Sequence, residues 1–299
     1  MTMTTGRLLG ASDVRRIASA IGVSPTKKLG QNFVIDPGTV RKIVRISDVS
    51  SQSFVIEVGP GLGSLTLALL ETGCHVAAVE IDPRLGAQLP LTVKEFMPSA
   101  TERLEVIIKD ALTLTTRDLP GSTPIDDVDL VANLPYNVAT PLVLTMLEQF
   151  PGLRRFTVMV QKEMADRMVA VPGSKVYGAP SAKLAWFGHA ERAGIIGRNV
   201  FWPAPNVDSA LVSFSRHADG SRGSFRTDEA LRPDVFAVID AAFGQRRKTL
   251  GHALRGIVDA DGFRKSGIDP CRRGETLTIE EFVALAHQME GGPHAPTVR

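Results

Sequence analysis

A doubly wound α/β fold, followed by a small helical domain, is predicted by the order of patterns along this 299-residue chain. Short apolar runs at 54–58, 75–81, 104–108 and 128–132 are separated by helix-length stretches, the alternation that builds a parallel sheet with crossover helices. A glycine-rich turn, Gly59-Pro60-Gly61-Leu62-Gly63, follows the first run, where a buried strand hands over to a helix. Beyond a stretch containing Gly220, Ser221, Gly223 and Ser224 the strand-like runs stop, and apolar residues recur at helical spacing.

Taken in order, the first candidate helix has Ser12 or Asp13 as its cap and Val14, Ile17 and Ile21 as its apolar stripe. Residues 25–30, with Lys27 and Lys28, read as a loop, so residues 1–26 are expected to be an extension and 27–216 the main domain. After the fourth strand come a helix at 140–150, a strand at 156–161, a helix at 162–171, and two strand-like stretches, 185–196 and 209–215, suited to an antiparallel hairpin. Residues 217–230 are the expected linker and 231–290 the helical domain, with a tail at 291–299. In that domain Val235, Ile239 and Ala242 mark one helix, Leu250, Leu254 and Val258 a second, and residues 279–289 a third.

Hydrophobic residues make up 43% of the chain and charged residues 22%, which excludes a disordered or fibrous protein. The formal charge of +2 is too small to name a partner by itself, so the distribution of charge has to decide. Cys74 and Cys271 lie far apart without metal-ligand spacing, which argues against a disulfide scaffold and a metal site and for a reducing cytoplasm. No apolar run approaches the roughly 20 residues needed to span a bilayer, so no membrane association is expected.

The glycine turn sits where backbone can approach a ligand closely, and Glu80 ends the next strand, where a carboxylate accepts hydrogen bonds from ribose hydroxyls. A dinucleotide site would place its third glycine or alanine at position 64, but Ser64 stands there and the glycine is at 63. That spacing favours an adenosine cofactor without a pyrophosphate, S-adenosylmethionine being the fitting choice. Asp110, directly after the third strand, is placed to accept from an adenine amino group, or is simply a solvated loop aspartate.

Asn133-Leu134-Pro135-Tyr136 follows the fourth strand, at the end of the sheet where open α/β proteins bind their ligands. An exocyclic adenine amine is a poor nucleophile because its lone pair is delocalised into the ring. The Asn133 side-chain oxygen and the Leu134 carbonyl can each accept one amine hydrogen and steer the lone pair toward an incoming methyl group. Pro135 stiffens the turn, and Tyr136 offers a stacking face worth about 1–3 kcal/mol to an extruded base. The competing interpretation is an ordinary turn followed by a core tyrosine.

With these motifs in hand, the chain resembles the KsgA/RsmA family of ribosomal RNA small-subunit adenine dimethyltransferases. The resemblance runs from about Lys27 to Ala286, through Lys28-Leu29-Gly30-Gln31-Asn32-Phe33, Glu57 to Gly63, Glu80-Ile81-Asp82, Lys109-Asp110-Ala111, Asn133 to Tyr136, and Phe201-Trp202-Pro203-Ala204-Pro205-Asn206-Val207-Asp208-Ser209. It implies a Rossmann-like class I methyltransferase sheet with helices on both faces, plus a small C-terminal helical domain. It also implies cofactor contacts at Asn32, Val34, Gly59, Gly61, Glu80, Asp110 and Asn133, with the segment at 31–33 lying across the cofactor and Phe201 flanking the target base opposite Tyr136. The implied reaction is N6,N6-dimethylation of two adjacent adenosines near the 3′ end of 16S ribosomal RNA, within a small subunit or its precursor, by a cytoplasmic monomer. Asn206 and Trp202 depart from the family pattern, where a lysine and a smaller, more polar residue are expected.

Arg246, Arg247, Lys248 and Arg255, with Lys27 and Lys28, form the candidate RNA-binding set, joined by Arg264, Lys265, Arg272 and Arg273. A large-subunit adenine methyltransferase of the antibiotic-resistance type, and a non-catalytic ribosome-assembly factor on the same fold, are the alternatives. An NAD-dependent oxidoreductase is disfavoured by Ser64 and by the lack of a hydride-site constellation.

Overall fold

The computed structural model describes residues 6–23, 32–121, 123–135, 138–217 and 229–289. In chain order the elements are α1 (Ala11–Ala20), β1 (Phe33–Val34), α2 (Pro37–Ile46), β2 (Phe54–Val58), α3 (Ser64–Glu71), β3 (His75–Glu80), α4 (Pro83–Phe96), β4 (Leu104–Ile108), β5 (Val128–Asn133), α5 (Ala139–Gln149), β6 (Leu153–Gln161), α6 (Lys162–Met168), α7 (Ala179–Phe187), β7 (Gly188–Ile196), β8 (Phe201–Trp202), β9 (Ser209–Arg216), α8 (Arg232–Gly244), α9 (Leu250–Ala253), α10 (Ala260–Ser266) and α11 (Ile279–Ala286). They form two compact units, Met1–Ala165 with Glu191–Arg216, and Asp166–Ala190 with His217–Arg299.

In the first unit a seven-stranded sheet runs in the order β4-β3-β2-β5-β6-β9-β7. The strands from β4 to β6 are parallel, and β9 joins β6 antiparallel. Every residue of β2 is buried, as a parallel strand covered on both faces must be. The chain winds outward from β2 through β3 to β4 and then returns to place β5 on the other side of β2. The carboxyl ends of β2 and β5 therefore flank the topological switch point, the usual ligand crevice of such sheets.

Local chemistry sets the helix starts. Asp36 and Asp82 cap α2 and α4, accepting from Thr39 N at 2.7 Å and Arg84 N at 2.9 Å, each followed by a proline at the first helical position. The cap of α1 is Gly10, not Ser12 or Asp13; Asp13 instead reaches back to accept from Gly10 N at 3.0 Å. Leu8, Leu9, Val14 and Ile17 are buried in the same core as Val55, Val76 and Leu67, so the expected extension at 1–26 is, over its described residues, part of the first unit.

Three other expectations are corrected. Residues 185–187 finish helix α7 and only then does β7 begin; the apolar run Leu184-Ala185-Trp186-Phe187 carries no periodicity that separates helix from strand. The helix expected across Leu250, Leu254 and Val258 stops at Ala253, and α10 stands as a separate element after it. Residues 166–190, expected within the main domain at 27–216, are grouped with the second unit, although the last three of them already belong to β7 of the sheet. In the second unit α7 packs on α8 through Phe187 against Phe236 and through Lys183 to Asp240, while the Tyr177 hydroxyl donates to Leu277 O at 3.0 Å. Most of the expected linker at 217–230 and the tail at 291–299 lie outside the described residues.

Candidate active site

A cavity of about 680 Å³ opens at the switch point, walled by the glycine turn, the ends of β3 and β4, and the Asn133-Leu134-Pro135 segment. The turn is shaped by its glycines: Gly61 has φ 58°, and a Cβ there would meet the Phe33 ring at 2.9 Å. Gly61 N donates to Glu80 Oε2 at 3.2 Å, and Asp82 N donates to Glu80 Oε1 at 3.0 Å, so the carboxylate is fixed in place by backbone on both sides. Burial raises the Glu80 pKa above the ordinary carboxylate range, and those backbone N–H groups pull against the rise. Asp110 is exposed at the cavity wall; its Oδ1 accepts from Leu112 N at 2.9 Å, which orients the side chain.

Across the cavity Asn133 is the last residue of β5, in register with Met159 of β6, and Leu134 N donates to Met159 O at 3.0 Å. Asn133 Nδ2 donates to Asn32 O at 3.2 Å, which assigns the amide orientation and leaves Oδ1 as an acceptor. Asn32 begins the segment that carries β1, whose Val34 O accepts from Ser64 Oγ at 2.6 Å. Ser64, which the sequence marks only as the residue that breaks a dinucleotide pattern, thus ties β1 to the first turn of α3. Strand β1 pairs with β8, and the Phe33 and Trp202 rings stack with centroids 6.4 Å apart.

Asn32, Val34, Gly59, Gly61, Glu80, Asp110, Asn133, Leu134 and Pro135 all line this one cavity. Phe201 does not: it is 3% exposed, opposite Val34 in the β1–β8 pair and packed in the hydrophobic core, so the face it was expected to offer a base is covered here. Tyr136, Lys27, Lys28 and Gln31 lie outside the described residues. The lining also contains Phe33, from the segment expected across the cofactor, and three motif residues that sequence reasoning left without a role, Glu57, Ile81 and Asp82. Ile81 is 67% exposed, an apolar side chain at the cavity rim directly after Glu80. Its place beside an acid at a strand end was the available signal.

In the second unit the basic set is divided. Arg246 Nε donates to Glu275 at 3.0 Å and its Nη2 to Lys175 O at 2.6 Å, so this side chain also holds the second unit together. Arg264 and Lys265 pair with Asp261, and Arg272 with Glu281. Arg247, Lys248 and Arg255 are exposed, Arg247 and Lys248 on the turn between α8 and α9 and Arg255 just after α9.

A family profile described as ribosomal RNA adenine dimethylase matches residues 23–290. A ribosomal RNA small subunit methyltransferase A from Bifidobacterium adolescentis is 61% identical over 290 residues, covering 96% of each chain. One of the same name from Streptomyces coelicolor is 54% identical over 288 residues, 95% of this chain and 97% of the other. Among solved structures, a dimethyladenosine transferase from Plasmodium falciparum superposes with a TM-score of 0.68 at 22% identity, over 85% of this chain and 95% of that one. The 23S rRNA methyltransferase ErmE does so with a TM-score of 0.63 at 22% identity, over 86% and 99%. Both share the fold.

Proposed function

Because the chain belongs to the ribosomal RNA adenine dimethylase family, we propose that it transfers methyl groups from S-adenosylmethionine to N6 of two adjacent adenosines near the 3′ end of 16S ribosomal RNA, within the small subunit or its precursor. It is a methyltransferase, and the names of its curated relatives favour small-subunit RNA over large-subunit RNA. The observation that carries the reading is the convergence, at one switch-point cavity, of a fixed buried carboxylate on one side and the Asn133 acceptor on the other.

The residues fit the cofactor. The close backbone of the glycine turn would admit its amino-acid portion, Glu80 would accept from the ribose hydroxyls, Asp110 would receive the adenine amino group, and Ile81 would pack on the base. When bound, the cofactor supplies an electrophilic methyl on a sulfonium. Asn133 Oδ1 and the Leu134 carbonyl accept the two hydrogens of the target amine and turn its lone pair toward that methyl, with Pro135 fixing the turn. Alignment of this kind contributes mainly in the transition state. Tyr136 stacks on the extruded base. Arg247, Lys248 and Arg255 neutralise phosphates, with Lys27 and Lys28 as further basic residues of the same set. The setting of the reaction is the cytoplasm, as for the ribosomal RNA it would modify. No helix among the described residues is long and apolar enough to cross a membrane.

Labelled S-adenosylmethionine incubated with unmodified small and large subunits tests the reading. Label should enter small-subunit RNA, and Asn133→Ala should lower the single-turnover rate at saturating cofactor by about a hundredfold or more, the effect expected from losing one pre-set acceptor worth roughly 2.7–4 kcal/mol. Label confined to large-subunit RNA would favour the antibiotic-resistance type of activity, and no transfer at all would favour a non-catalytic assembly factor.

A further inference from the structure

Trp202 departs from the family pattern, and the ring it brings has a specific neighbour. Residues directly opposite each other in an antiparallel pair project to the same face of the ribbon. The register of β1 with β8 therefore sorts four side chains into two pairs, Val34 with Phe201 on one face and Phe33 with Trp202 on the other. Val34 and Phe201 are buried and anchor the ribbon in the core of the first unit. Phe33 lines the cofactor cavity, and Trp202, half-buried and outside the lining, stacks on it with the rings inclined by 27°.

The backbone fixes what lies on each edge of β1. Ile35 N donates to Val200 O at 2.8 Å on the edge shared with β8. Val34, one residue earlier, points its carbonyl to the opposite edge, where Ser64 Oγ on the first turn of α3 donates to it. Phe33 thus stands between the Trp202 ring and the glycine turn. Its ring fills the space that a side chain on Gly61 would take, with Cε1 2.9 Å from where that Cβ would be. Gly61 N is in turn a donor to Glu80, at 3.2 Å. Contact therefore runs from Trp202 through Phe33 and Gly61 to the acidic side chain of the cavity. A shorter side chain at 202 withdraws the surface that Phe33 leans on and gives both the ring and the turn room to shift.

Resting on the cofactor reading above, we propose that Trp202 is a positioning residue for cofactor binding: stacked on Phe33, it holds that ring against Gly61 and keeps the glycine turn closed on Glu80 before the cofactor arrives. Trp202 acts through Phe33, as it does not itself line the cavity. A wall set in advance spares the cofactor the cost of ordering it, so the contribution is read as affinity.

Calorimetric titration of the full chain with S-adenosylmethionine tests this. Trp202→Thr should weaken binding about three- to tenfold, the range for one well-placed aromatic pair, and Trp202→Phe, which restores a ring, should recover most of the loss. Because the effect passes through Phe33, adding Trp202→Thr to Phe33→Leu should cost nothing further. Hydrogen exchange without cofactor separates positioning from general loosening. In Trp202→Thr the amides of Gly61 and Gly63 should exchange faster than in the parent while those of β5 and β6 do not, and Trp202→Phe should match the parent. If Trp202→Thr does not fold, Trp202→Leu keeps the apolar bulk without the ring and should exchange faster at Gly61 and Gly63 than Trp202→Phe; equal exchange in those two would overturn the proposal. So would parental affinity in Trp202→Thr, an equal further loss in the double variant, or acceleration spread evenly over the sheet. A parent protein that does not bind S-adenosylmethionine would overturn the cofactor reading and this proposal with it, whereas a binding parent with unaffected Trp202 variants would overturn this proposal alone.

Discussion

Glu80 ends β3 with its two oxygens already held by Gly61 and Asp82, so Glu80→Ala removes an acceptor that is set before any ligand arrives. Affinity for S-adenosylmethionine should fall by about 1–3 kcal/mol in calorimetric titration; unchanged affinity would mean that the cofactor lies elsewhere. Glu57 predicts a pH effect on the protein without ligand. Its pKa is raised to about 8 by burial, so between its ordinary value near 4.5 and that point the folded chain holds a proton that the unfolded chain has lost. Stability therefore falls as pH rises through this window, by an amount on the order of a few kcal/mol, and does not fall further above it. Chemical denaturation of the parent and Glu57→Gln proteins at pH 5, 7 and 9 should show the parent losing ground to the variant as pH rises; parallel profiles would contradict the buried neutral acid. Glu80, Asp110 and Asn133 were legible from sequence because each directly ends or follows a strand at the sheet's ligand-binding edge. Glu57 was not, since an acid inside an apolar run gives no sign of whether its side chain finds a partner.

Strand β1 and strand β8 are two residues each and are separated by most of the first unit, so no local pattern announces their pairing. Their place is set by tertiary bonds, Ser64 Oγ to Val34 O and Asn133 Nδ2 to Asn32 O, which attach the ribbon to the first turn of α3 and to the end of β5 at once. The longer strands were legible because each short, mostly apolar run is followed by a helix-length stretch, whereas the apolar run that ends α7 leads directly into β7 and reads equally as helix or strand. The turn between α8 and α9 carries the element-level prediction. Arg247→Glu, Lys248→Glu and Arg255→Glu together should weaken binding to small subunits and reduce the salt slope by about one per lost phosphate contact, leaving cofactor affinity unchanged. Adding Arg246→Glu would instead break its bonds to Glu275 and Lys175 and confound binding with folding. An unaltered salt slope in the triple variant would place RNA docking on another surface.

Across the whole chain, the division into units is the feature that sequence reasoning missed most, because residues 166–190 follow a strand in the chain yet fold with helices that come some 50 residues later. Tyr177, Lys183 and Phe187 make that assignment physical through their contacts with Phe243, Asp240 and Phe236. The sheet order, with its switch point between β2 and β5, brings together two motifs that lie far apart in sequence, the glycine turn and the Asn133 segment, on one cavity. We propose that this cavity brings S-adenosylmethionine to the N6 amine of adenine in small-subunit RNA. Nucleoside mass spectrometry of 16S RNA, after reaction of unmodified small subunits with the parent protein and S-adenosylmethionine, tests it most directly. N6,N6-dimethyladenosine is expected at two adjacent positions near the 3′ end, and methylation at a ring nitrogen, at a ribose hydroxyl or on another base would overturn the proposal.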